Sequence, residues 1–327
     1  MRLHATGRPF VEPHVVASLV PLLQRNLTKQ LLSPRDASRV GASVAAVFRW
    51  ADKTERALEL LFVRRCVNAA DAWSGQVAFP GGRRQKQTGP NVDRSRARVV
   101  AAVADGSNQW TQWESLRETA QRETKEEVGL DLTLPCVHWI GALPPLQTQL
   151  SRSVHVSTQV FFIDAAADKH AYTPKLQESE IADVFWVDVQ ELFNPRRYQV
   201  LSYPLEQSLW KHPRVLAVAQ RVLGNMLFDC IYLPRPKRSV LDDDDGLSHR
   251  DVHDFVLWGM TLRAVTQLFA VTGSSLPMRP TTAQRFEKSK FLGPVVLYCL
   301  RHRLAVAVGT ATFLSSVVVV HLVNQAL

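Results

Sequence analysis

Short apolar runs alternate with polar stretches through the first two thirds of this chain, and one segment between them is helix-like. The apolar runs have strand length and are bounded by turn-forming residues. They comprise Val44–Phe48, Leu58–Val63, Val160–Ile163 and Val184–Val187. The clearest predicted helix is Glu114–Val128, and Gly129 marks its end. The pattern therefore predicts strands around at least one helix.

Both ends of the chain carry a further hydrophobic pattern. Residues 304–323 contain no Asp, Glu, Lys or Arg, and 20 helical residues span about 30 Å, the thickness of a bilayer core. A buried strand or core helix is the alternative. We expect a tail anchor, with Arg301 and Arg303 keeping the preceding domain in the cytosol at an organelle surface. Near the other end, apolar residues at helical spacing predict a helix within residues 1–40: Val15, Leu19, Leu22, Leu23 and Leu27.

Composition excludes several classes of protein. The chain has 327 residues, 46% hydrophobic and 21% charged, which excludes a disordered chain, a collagen and a coiled coil. The four cysteines are far apart and form no C-x-x-C pair, so a zinc site or disulfide framework is not expected and a reducing compartment fits.

The net charge of +9 is concentrated in three segments, residues 1–40, 83–113 and 279–303. Such segments suit phosphate-rich substrates, membrane surfaces or nucleic acid, and solvated loops explain them equally well. The first segment also resembles a mitochondrial presequence, which gives an alternative location. Nucleic acid is the partner least expected.

Three carboxylates of the predicted helix share one face. At 100° per residue, Glu123, Glu126 and Glu127 fall within an arc of about 100°. Like charges at this spacing repel, and a divalent cation would turn that repulsion into binding. Oxygen ligands favour Mg²⁺ or Mn²⁺. Thr111 and Glu114 form a T-x-x-E capping box that predicts the helix start. An acidic, solvated helix face is the alternative.

A glycine-rich loop precedes this helix. Residues 75–82 read G-Q-V-A-F-P-G-G, and paired glycines after a strand let the backbone approach a ligand closely. Such a loop would add a backbone carbonyl to a metal held by the helix. The combination predicts metal-assisted attack of water on phosphorus.

These two motifs together resemble the Nudix box, F-P-G-G followed by E-x7-R-E-U-x-E-E-x-G-U. The resemblance implies an α/β fold, an α/β/α sandwich around a mixed sheet, and cleavage of nucleoside diphosphates linked to another group. It implies that Glu123 and Glu127 bind Mg²⁺ or Mn²⁺. Glu126 would be a further ligand or help activate the water, and Arg122 would orient the carboxylates. The Gly82 carbonyl is a possible ligand.

A narrower resemblance is to the coenzyme A diphosphatases. Leu60–Arg65 and residues 73–82 resemble their L-L-x-x-R and S-G-x-V-x-F-P-G-G segments, and residues 143–148, 180–187 and 258–261 resemble later ones. It covers roughly residues 42–272. The implied reaction splits coenzyme A or acyl-coenzyme A into 3′,5′-ADP and (acyl-)4′-phosphopantetheine. Substrate would be bound by Arg64 or Arg65 and by Gly81 and Gly82. Tyr203 and Trp258 are candidates for stacking on adenine, or core aromatics.

The chain departs from these patterns at three places. Thr124 stands where the box has an aliphatic residue, and residues 68–71 lack an arginine usual in the coenzyme A branch. Between Gly82 and Glu114 lie 31 residues, where the box has five. This basic insertion, residues 83–113, would be a lid, a substrate clamp, a surface for an anionic partner or a disordered loop. NADH, ADP-ribose and capped RNA remain alternative substrates, and a weakly catalytic binding scaffold is an alternative function.

The predicted organisation is a basic N-terminal segment (1–40), a Nudix hydrolase domain (41–275), a basic linker (276–303) and the transmembrane anchor (304–323).

Overall fold

A computed structural model describes twelve stretches of the chain. They are residues 13–27, 40–51, 57–67, 75–88, 98–99, 110–147, 155–164, 174–204, 220–221, 223–234, 255–277 and 285–288.

The helices and strands follow the order of the sequence predictions. The predicted strands extend further in the structure, whereas the helix predicted for Glu114–Val128 begins two residues later, at Leu116. The helices are α1 (Pro13–Asn26), α2 (Leu116–Val128), α3 (Val189–Leu192) and α4 (Gly259–Val271), with a 3-10 turn at Pro195–Arg197. The longer strands are β1 (Val40–Trp50), β2 (Leu58–Arg65), β8 (Val137–Ala142), β10 (His155–Ile163), β11 (Ile181–Asp188), β12 (Tyr198–Tyr203) and β13 (Met226–Tyr232). The shorter strands are β3 (Val77–Ala78), β4 (Gly81–Arg83), β5 (Lys86–Thr88), β6 (Arg98–Val99), β7 (Trp110–Trp113), β9 (Leu146–Gln147), β14 (Val256–Trp258) and β15 (Arg285–Phe286).

A mixed sheet forms the centre of the domain. Its strand order is β11-β2-β1-β10-β8, with β3, β4 and β9 attached to individual strands. Strands β1 and β10 are parallel, with Ala46 opposite Val160, and the other pairs are antiparallel. All four predicted strands fall inside members of this sheet, so the prediction of a mixed sheet is confirmed.

Helices cover both faces of the sheet. On one face, Ala120 and Val128 of α2 pack with Leu61 and Val63 of β2. On the other face, α1 and α4 pack over the alternate residues of the same strands. That larger cluster includes Leu19, Leu23, Phe48, Leu60, Phe62, Leu262 and Leu268. Because successive residues of a strand point to opposite faces, β2 contributes to both clusters. The result is an α/β/α sandwich.

Helix α1 belongs to this core. Leu19 and Leu23 are buried, and the Asn26 side-chain amide donates to the Val271 carbonyl oxygen at the end of α4, at 2.9 Å. Burial of each leucine stabilises the fold by about 1.5–3 kcal/mol. Of the two interpretations of the first 40 residues, the structure therefore supports a helix of the folded domain for residues 13–26. It does not address targeting.

The basic insertion has an ordered base. Strands β5 and β7 pair antiparallel, with Lys86 opposite Trp113 and Thr88 opposite Thr111, and β6 pairs with β7 on its other side. Thr111 therefore lies in a strand, and the prediction that it caps the helix is wrong. Residues 89–97 and 100–109 lie outside the described residues.

Shortening the insertion above this base should leave the fold intact. We expect a chain in which Thr-Asn-Gly replaces residues 89–109 to unfold cooperatively, within a few degrees of the parent melting temperature. The β5–β7 pairing is retained, Asn-Gly favours a two-residue hairpin turn, and closing a long loop costs little more than closing a short one. Thermal unfolding followed by circular dichroism measures this. A matched deletion of residues 84–113 also removes Gln85 and should lower the melting temperature clearly, whereas equal melting temperatures would show that the base of the hairpin contributes nothing.

The chain divides into two compact units. The first comprises Met1–Thr148, Val154–Gln199 and Asp229–Pro280 and contains the sandwich. The second comprises Gln149–Ser153, Val200–Phe228 and Thr281–Leu327, where β15 pairs with Met226 and Leu227. No helix in the described stretches is long and apolar enough to cross a bilayer. The predicted anchor, residues 304–323, lies outside those stretches, and the predicted domain limits stay predictions.

Candidate active site

Helix α2 begins and ends at well-defined caps. The Ser115 hydroxyl accepts from the Glu118 backbone N–H at 3.1 Å, and the Glu118 carboxylate accepts from the Ser115 N–H at 2.7 Å. This capping box lies four residues after the predicted one. The other end is as predicted, because Gly129 adopts a left-handed conformation (φ 78°) and donates to the Lys125 carbonyl.

Glu114, just before the helix, is buried and serves as an anchor for Arg122. Arg122 Nε lies 2.7 Å from its carboxylate, and the Gln85 backbone N–H and the Thr119 hydroxyl donate to it at 3.1 Å each. Burial would raise the pKa of Glu114, but the hydrogen bonds from Arg122 and Gln85 outweigh it and the pKa is lowered. Glu114 is therefore a charged structural partner rather than a pocket residue.

Arg122 connects this anchor to the predicted metal ligands. Its guanidinium lies 2.9 Å from the Glu123 carboxylate and 2.8 Å from the Glu126 carboxylate. It also donates to the Arg83 carbonyl oxygen at 3.1 Å. One side chain thus holds three glutamates and the loop that follows the paired glycines. This is the orienting position that the sequence predicted for Arg122.

Glu127 is the most deeply placed of the three helix carboxylates. Its side chain is buried, accepts from the Gly81 N–H at 2.8 Å and lies 3.9 Å from Arg65 Nη1. Burial raises the pKa of Glu127 to about 8, against the opposing effects of Gly81 and Arg65. Burial, together with Glu126 and Glu180, also raises the pKa of Glu123 despite the Arg122 contact. Two carboxyl groups with raised pKa values thus lie side by side.

The paired glycines are required by close packing. A Cβ on Gly81, which has φ +148°, would lie 2.4 Å from the Ser43 carbonyl oxygen. A Cβ on Gly82 would lie 2.5 Å from the carboxyl carbon of Glu123. Any side chain at these two positions would displace β4 from β1 or push Glu123 away. The loop therefore lies directly against the acidic face of α2.

These groups line one polar pocket of about 310 Å³. Its lining residues are Arg65, Gly81, Gly82, Arg83, Gln85, Arg122, Glu123, Glu126, Glu127, Gln177 and Glu180. Every predicted site residue except Arg64 is in this set. Arg64 is next to Arg65 on β2 but points to the opposite face, 5.8 Å from the centre of the Phe255 ring. Of the two candidate phosphate-binding arginines, the structure brings only Arg65 to the carboxylates.

Gln177 and Glu180 were not predicted as site residues. The segment before β11 closes over the end of α2, because Gln177 N–H donates to the Glu127 carbonyl at 2.9 Å and Lys175 N–H to that of Val128 at 3.1 Å. This contact brings Glu180 into the pocket, where its charge adds to the raised pKa values of Glu123 and Glu127. The sequence signal for Glu180 is the segment 180–187, which resembles a segment of the coenzyme A diphosphatases.

The aromatic candidates for stacking have other surroundings. Tyr203 packs edge-to-face on Phe228, with ring centres 6.3 Å apart, and Trp258 is the residue before α4. The roles predicted for the site residues stay predictions, while their positions are now fixed.

Comparison with known proteins identifies the family. The NUDIX domain profile matches residues 40–207, slightly more than half of the chain. The chain belongs to the NUDIX family. The predicted resemblance to the Nudix family is confirmed. Hydrolases of this family act on nucleoside diphosphate derivatives and generally use divalent metal ions.

A curated relative is an uncharacterized protein of Schizosaccharomyces pombe, 26% identical over 178 residues. The match covers 53% of this chain and 46% of the relative, so it spans just under half of that protein's length.

Solved structures with a similar fold include an Ap4A hydrolase of C. elegans in a binary complex and a NUDIX hydrolase of Alicyclobacillus acidocaldarius. The first is 15% identical, covering 45% of this chain and 79% of the other, with a TM-score of 0.27. The second is 20% identical, covering 47% and 81%, with a TM-score of 0.29. Membership in the family depends on the profile match rather than on these likenesses.

The donor set fits a divalent cation. No three His, Cys, Asp or Glu side chains converge into a ready-made metal site within the described stretches. However, Glu123 and Glu127 are crowded with Glu180 in a pocket lined by further carboxylate and backbone oxygens. Carboxylate oxygens are the ligands that Mg²⁺ prefers, and a cation there would offset the burial and the like-charge repulsion that raise both pKa values.

The raised pKa of Glu127 predicts an unusual pH dependence of stability. In the unfolded chain a glutamate has a pKa of about 4.3, and in the folded chain Glu127 has a pKa of about 8. Between these values the folded state holds the extra proton, so the free energy of unfolding should fall as pH rises from 5 to 8 without metal. Urea unfolding in EDTA at several pH values measures this.

The matched control is Glu127→Gln, which does not titrate. Its stability should fall less over this pH range than that of the parent chain. Equal slopes for the two proteins would contradict a buried, protonated Glu127.

Proposed function

We propose that this Nudix protein is a metal-dependent diphosphatase that hydrolyses coenzyme A or acyl-coenzyme A to 3′,5′-ADP and (acyl-)4′-phosphopantetheine. The observation that carries the proposal is the meeting of Arg65, Glu123 and Glu127 in one pocket. A cation and a phosphate anion need opposite charges within a few ångströms of each other, and this pocket offers both. The coenzyme A assignment is supported by the L-L-x-x-R and S-G-x-V-x-F-P-G-G resemblance.

In the proposed mechanism, Glu123 and Glu127 hold the cation, with Glu126 as a further ligand or as the group that helps to activate the water. A bound Mg²⁺ or Mn²⁺ supplies Lewis acidity toward the phosphoryl oxygens and lowers the pKa of a bound water. Arg65 binds a phosphate oxygen beside the buried carboxylate of Glu127, from which its Nη1 lies 3.9 Å. Arg122 keeps Glu123 and Glu126 in position through its two short contacts.

Glu180 takes part in the same chemistry as an acceptor at the rim of the pocket. It is exposed, unlike Glu127, and lies on the segment that closes over the end of α2. From there its carboxylate would orient the water that attacks the diphosphate. Gln177 offers an amide donor on the same segment.

The deciding experiment is a substrate panel with the full-length chain. Coenzyme A, acetyl-coenzyme A, NADH, ADP-ribose and capped RNA are incubated with Mg²⁺ or Mn²⁺, and products are separated by chromatography. The proposal predicts the highest kcat/KM for coenzyme A or its acyl ester, with 3′,5′-ADP as product. A higher kcat/KM for another compound of the panel would assign that compound as the substrate, and the proposed reaction, hydrolysis of a diphosphate, would be unchanged.

A binding scaffold is the second candidate function. It is favoured by the arginine contacts of Glu123, Glu126 and Glu127, which occupy the carboxylates without a metal. If no member of the panel is hydrolysed at any metal concentration while nucleotides still bind, the scaffold is the better description.

We also propose that residues 304–323 anchor the protein in an organelle membrane, with the Nudix domain facing the cytosol. The support is the uncharged apolar segment and the basic residues before it. A fusion with a fluorescent protein at the N-terminus should resist carbonate extraction and be digested by protease added to intact organelles. Truncation after Arg303 should release it. Extraction by carbonate, or protection from protease as expected of a mitochondrial matrix protein, would contradict the anchor.

A further inference from the structure

Among the described residues that line the pocket, none offers an aromatic or aliphatic surface on which a nucleotide base can stack. Its lining consists of charged side chains, two glutamines and two glycines, without an aromatic or aliphatic residue. Its volume of about 310 Å³ is at the lower limit for ligand sites. A cation and a diphosphate fill such a space, so the base of a nucleotide substrate must lie beyond the rim.

An exposed tryptophan belongs to the hairpin that begins at the pocket, since Trp113 pairs with Lys86, the residue after the pocket residue Gln85. Half of the surface of Trp113 is exposed. Among the Trp, Tyr and Phe side chains whose burial the structure describes, Trp113 alone is exposed. Lys86 Nζ lies 5.1 Å from the centre of its ring and the Arg84 guanidinium carbon 5.8 Å. We call this group the Trp113 platform. It combines a flat π-surface with two cations, which are the groups that recognise a base and an adjacent phosphate.

The platform is fixed to the catalytic framework. Lys86 directly follows Gln85, which lines the pocket, and Trp113 directly precedes the buried Glu114. Gln85 and Glu114 are joined twice: the Glu114 N–H donates to the Gln85 carbonyl at 3.0 Å, and the Gln85 N–H donates to the Glu114 carboxylate at 3.1 Å. The platform therefore begins one residue beyond the pocket, or about 3.4 Å along a strand.

Arg84 adds a third connection at the same point. Its guanidinium donates to the Glu114 carbonyl at 2.9 Å through Nε, with Nη2 directed at the same oxygen. Burial lowers the pKa of Arg84, and the charges of Glu114 and Glu118 oppose that effect. Arg84 is thus committed to the framework, whereas Lys86 is exposed and its ammonium group lies over the Trp113 ring. Lys86 is the cation available to a ligand.

We infer that the Trp113 platform binds the purine and a nearby phosphate of the nucleotide substrate, with Trp113 stacking on the base and Lys86 contacting the phosphate. The inference rests on the proposed function and assigns the part of the substrate that the pocket leaves outside. It also gives the basic insertion a role, because both strands of the platform belong to residues 83–113. A box with five residues between glycine and glutamate has no space for this hairpin. These two side chains then favour a nucleotide over a diphosphate that carries no base.

The test compares two ligands that share a diphosphate, of which only one carries a nucleoside. Binding of adenosine 5′-diphosphate and of inorganic pyrophosphate to the full-length chain is measured by calorimetry with Mg²⁺. Trp113→Ala should raise the Kd for adenosine 5′-diphosphate about tenfold and leave that for pyrophosphate unchanged, since base stacking on an aromatic side chain has about that value. Trp113→Phe should keep most of the affinity. Lys86 is tested with 3′-phosphoadenosine 5′-diphosphate, which carries a phosphate outside its diphosphate. Lys86→Ala should weaken binding of this ligand and flatten its salt dependence, while Lys125→Ala, a matched change on the far side of α2, should not.

Three results would overturn the inference: an unchanged Kd for adenosine 5′-diphosphate in Trp113→Ala, an equal loss for both ligands, or no nucleotide binding by the parent chain. The substrate panel gives an independent result. Selective loss of nucleotide binding without hydrolysis of any panel member would retain the platform and reject the proposed function. If the parent chain hydrolyses coenzyme A and Trp113→Ala leaves the Kd for adenosine 5′-diphosphate unchanged, the platform is rejected and the proposed function is retained.

Discussion

Replacing Glu127 with glutamine is expected to lower kcat/KM by about three orders of magnitude while the fold persists. Glutamine keeps the size of the side chain and leaves an acceptor for the Gly81 N–H, so the packing of β4 against α2 is preserved. It removes the buried charge that would hold the cation. Steady-state kinetics over a range of Mg²⁺ concentrations measures the loss, and circular dichroism checks the fold.

The matched control for this variant is Glu178→Gln. Glu178 is exposed and close to Glu180 in the chain, but it does not line the pocket. The same chemical change there should leave kcat/KM within about twofold of the parent value, because surface substitutions away from a site have small effects. Undiminished hydrolysis in Glu127→Gln would reject α2 as the metal-binding element.

Replacing Arg122 with methionine is expected to destabilise the fold and to abolish activity together. The change leaves the buried Glu114 carboxylate without its arginine partner and removes the contacts that hold Glu123 and Glu126. Leaving a buried charge without its partner costs about 3 kcal/mol or more. Arg122→Lys should recover only part of this stability, because an ammonium group cannot replace the fork that contacts several carboxylates at once. Urea unfolding measures both variants.

Two controls separate this effect from a general loss of charge. Lys125→Met lies on the same helix, and its exposed pair with Asp131 should contribute less than about 1 kcal/mol. If Arg122 and Glu114 act as a pair, Arg122→Met combined with Glu114→Gln should cost less than the sum of the single changes. Strict additivity would show that the two residues are independent.

The sequence predicted the parts of the site that depend on local spacing. Glu123 and Glu127 are one turn apart, so their common face followed from helical geometry alone. The left-handed Gly129 was likewise expected, because few other residues end a helix in that conformation. The mixed sheet required the family resemblance, since apolar runs indicate strands but not which strands pair.

What the sequence left open depends on contacts between distant residues. Thr111–Glu114 and Ser115–Glu118 are both capping-box patterns, and only the burial of Glu114 against Arg122 and Gln85 decides between them. The sequence alone does not distinguish Arg64 from Arg65 as the phosphate-binding residue. The distinction requires knowing which face of β2 packs against which hydrophobic cluster. Glu180 enters the pocket through backbone bonds to the end of α2, which no local pattern encodes.

The parallel pairing of β1 with β10 has a consequence for how this chain folds. The two strands at the middle of the sheet come from residues 40–50 and 155–163, so no hairpin can bring them together. Their contact must wait until the whole intervening segment, including the insertion, has been made and its ends have met. Domains dominated by such distant contacts cross their folding barrier slowly. A nascent chain released before β10 would therefore expose one edge of β1 and its apolar faces, and synthesis rate and chaperone access should affect the yield of this protein more than its final stability does.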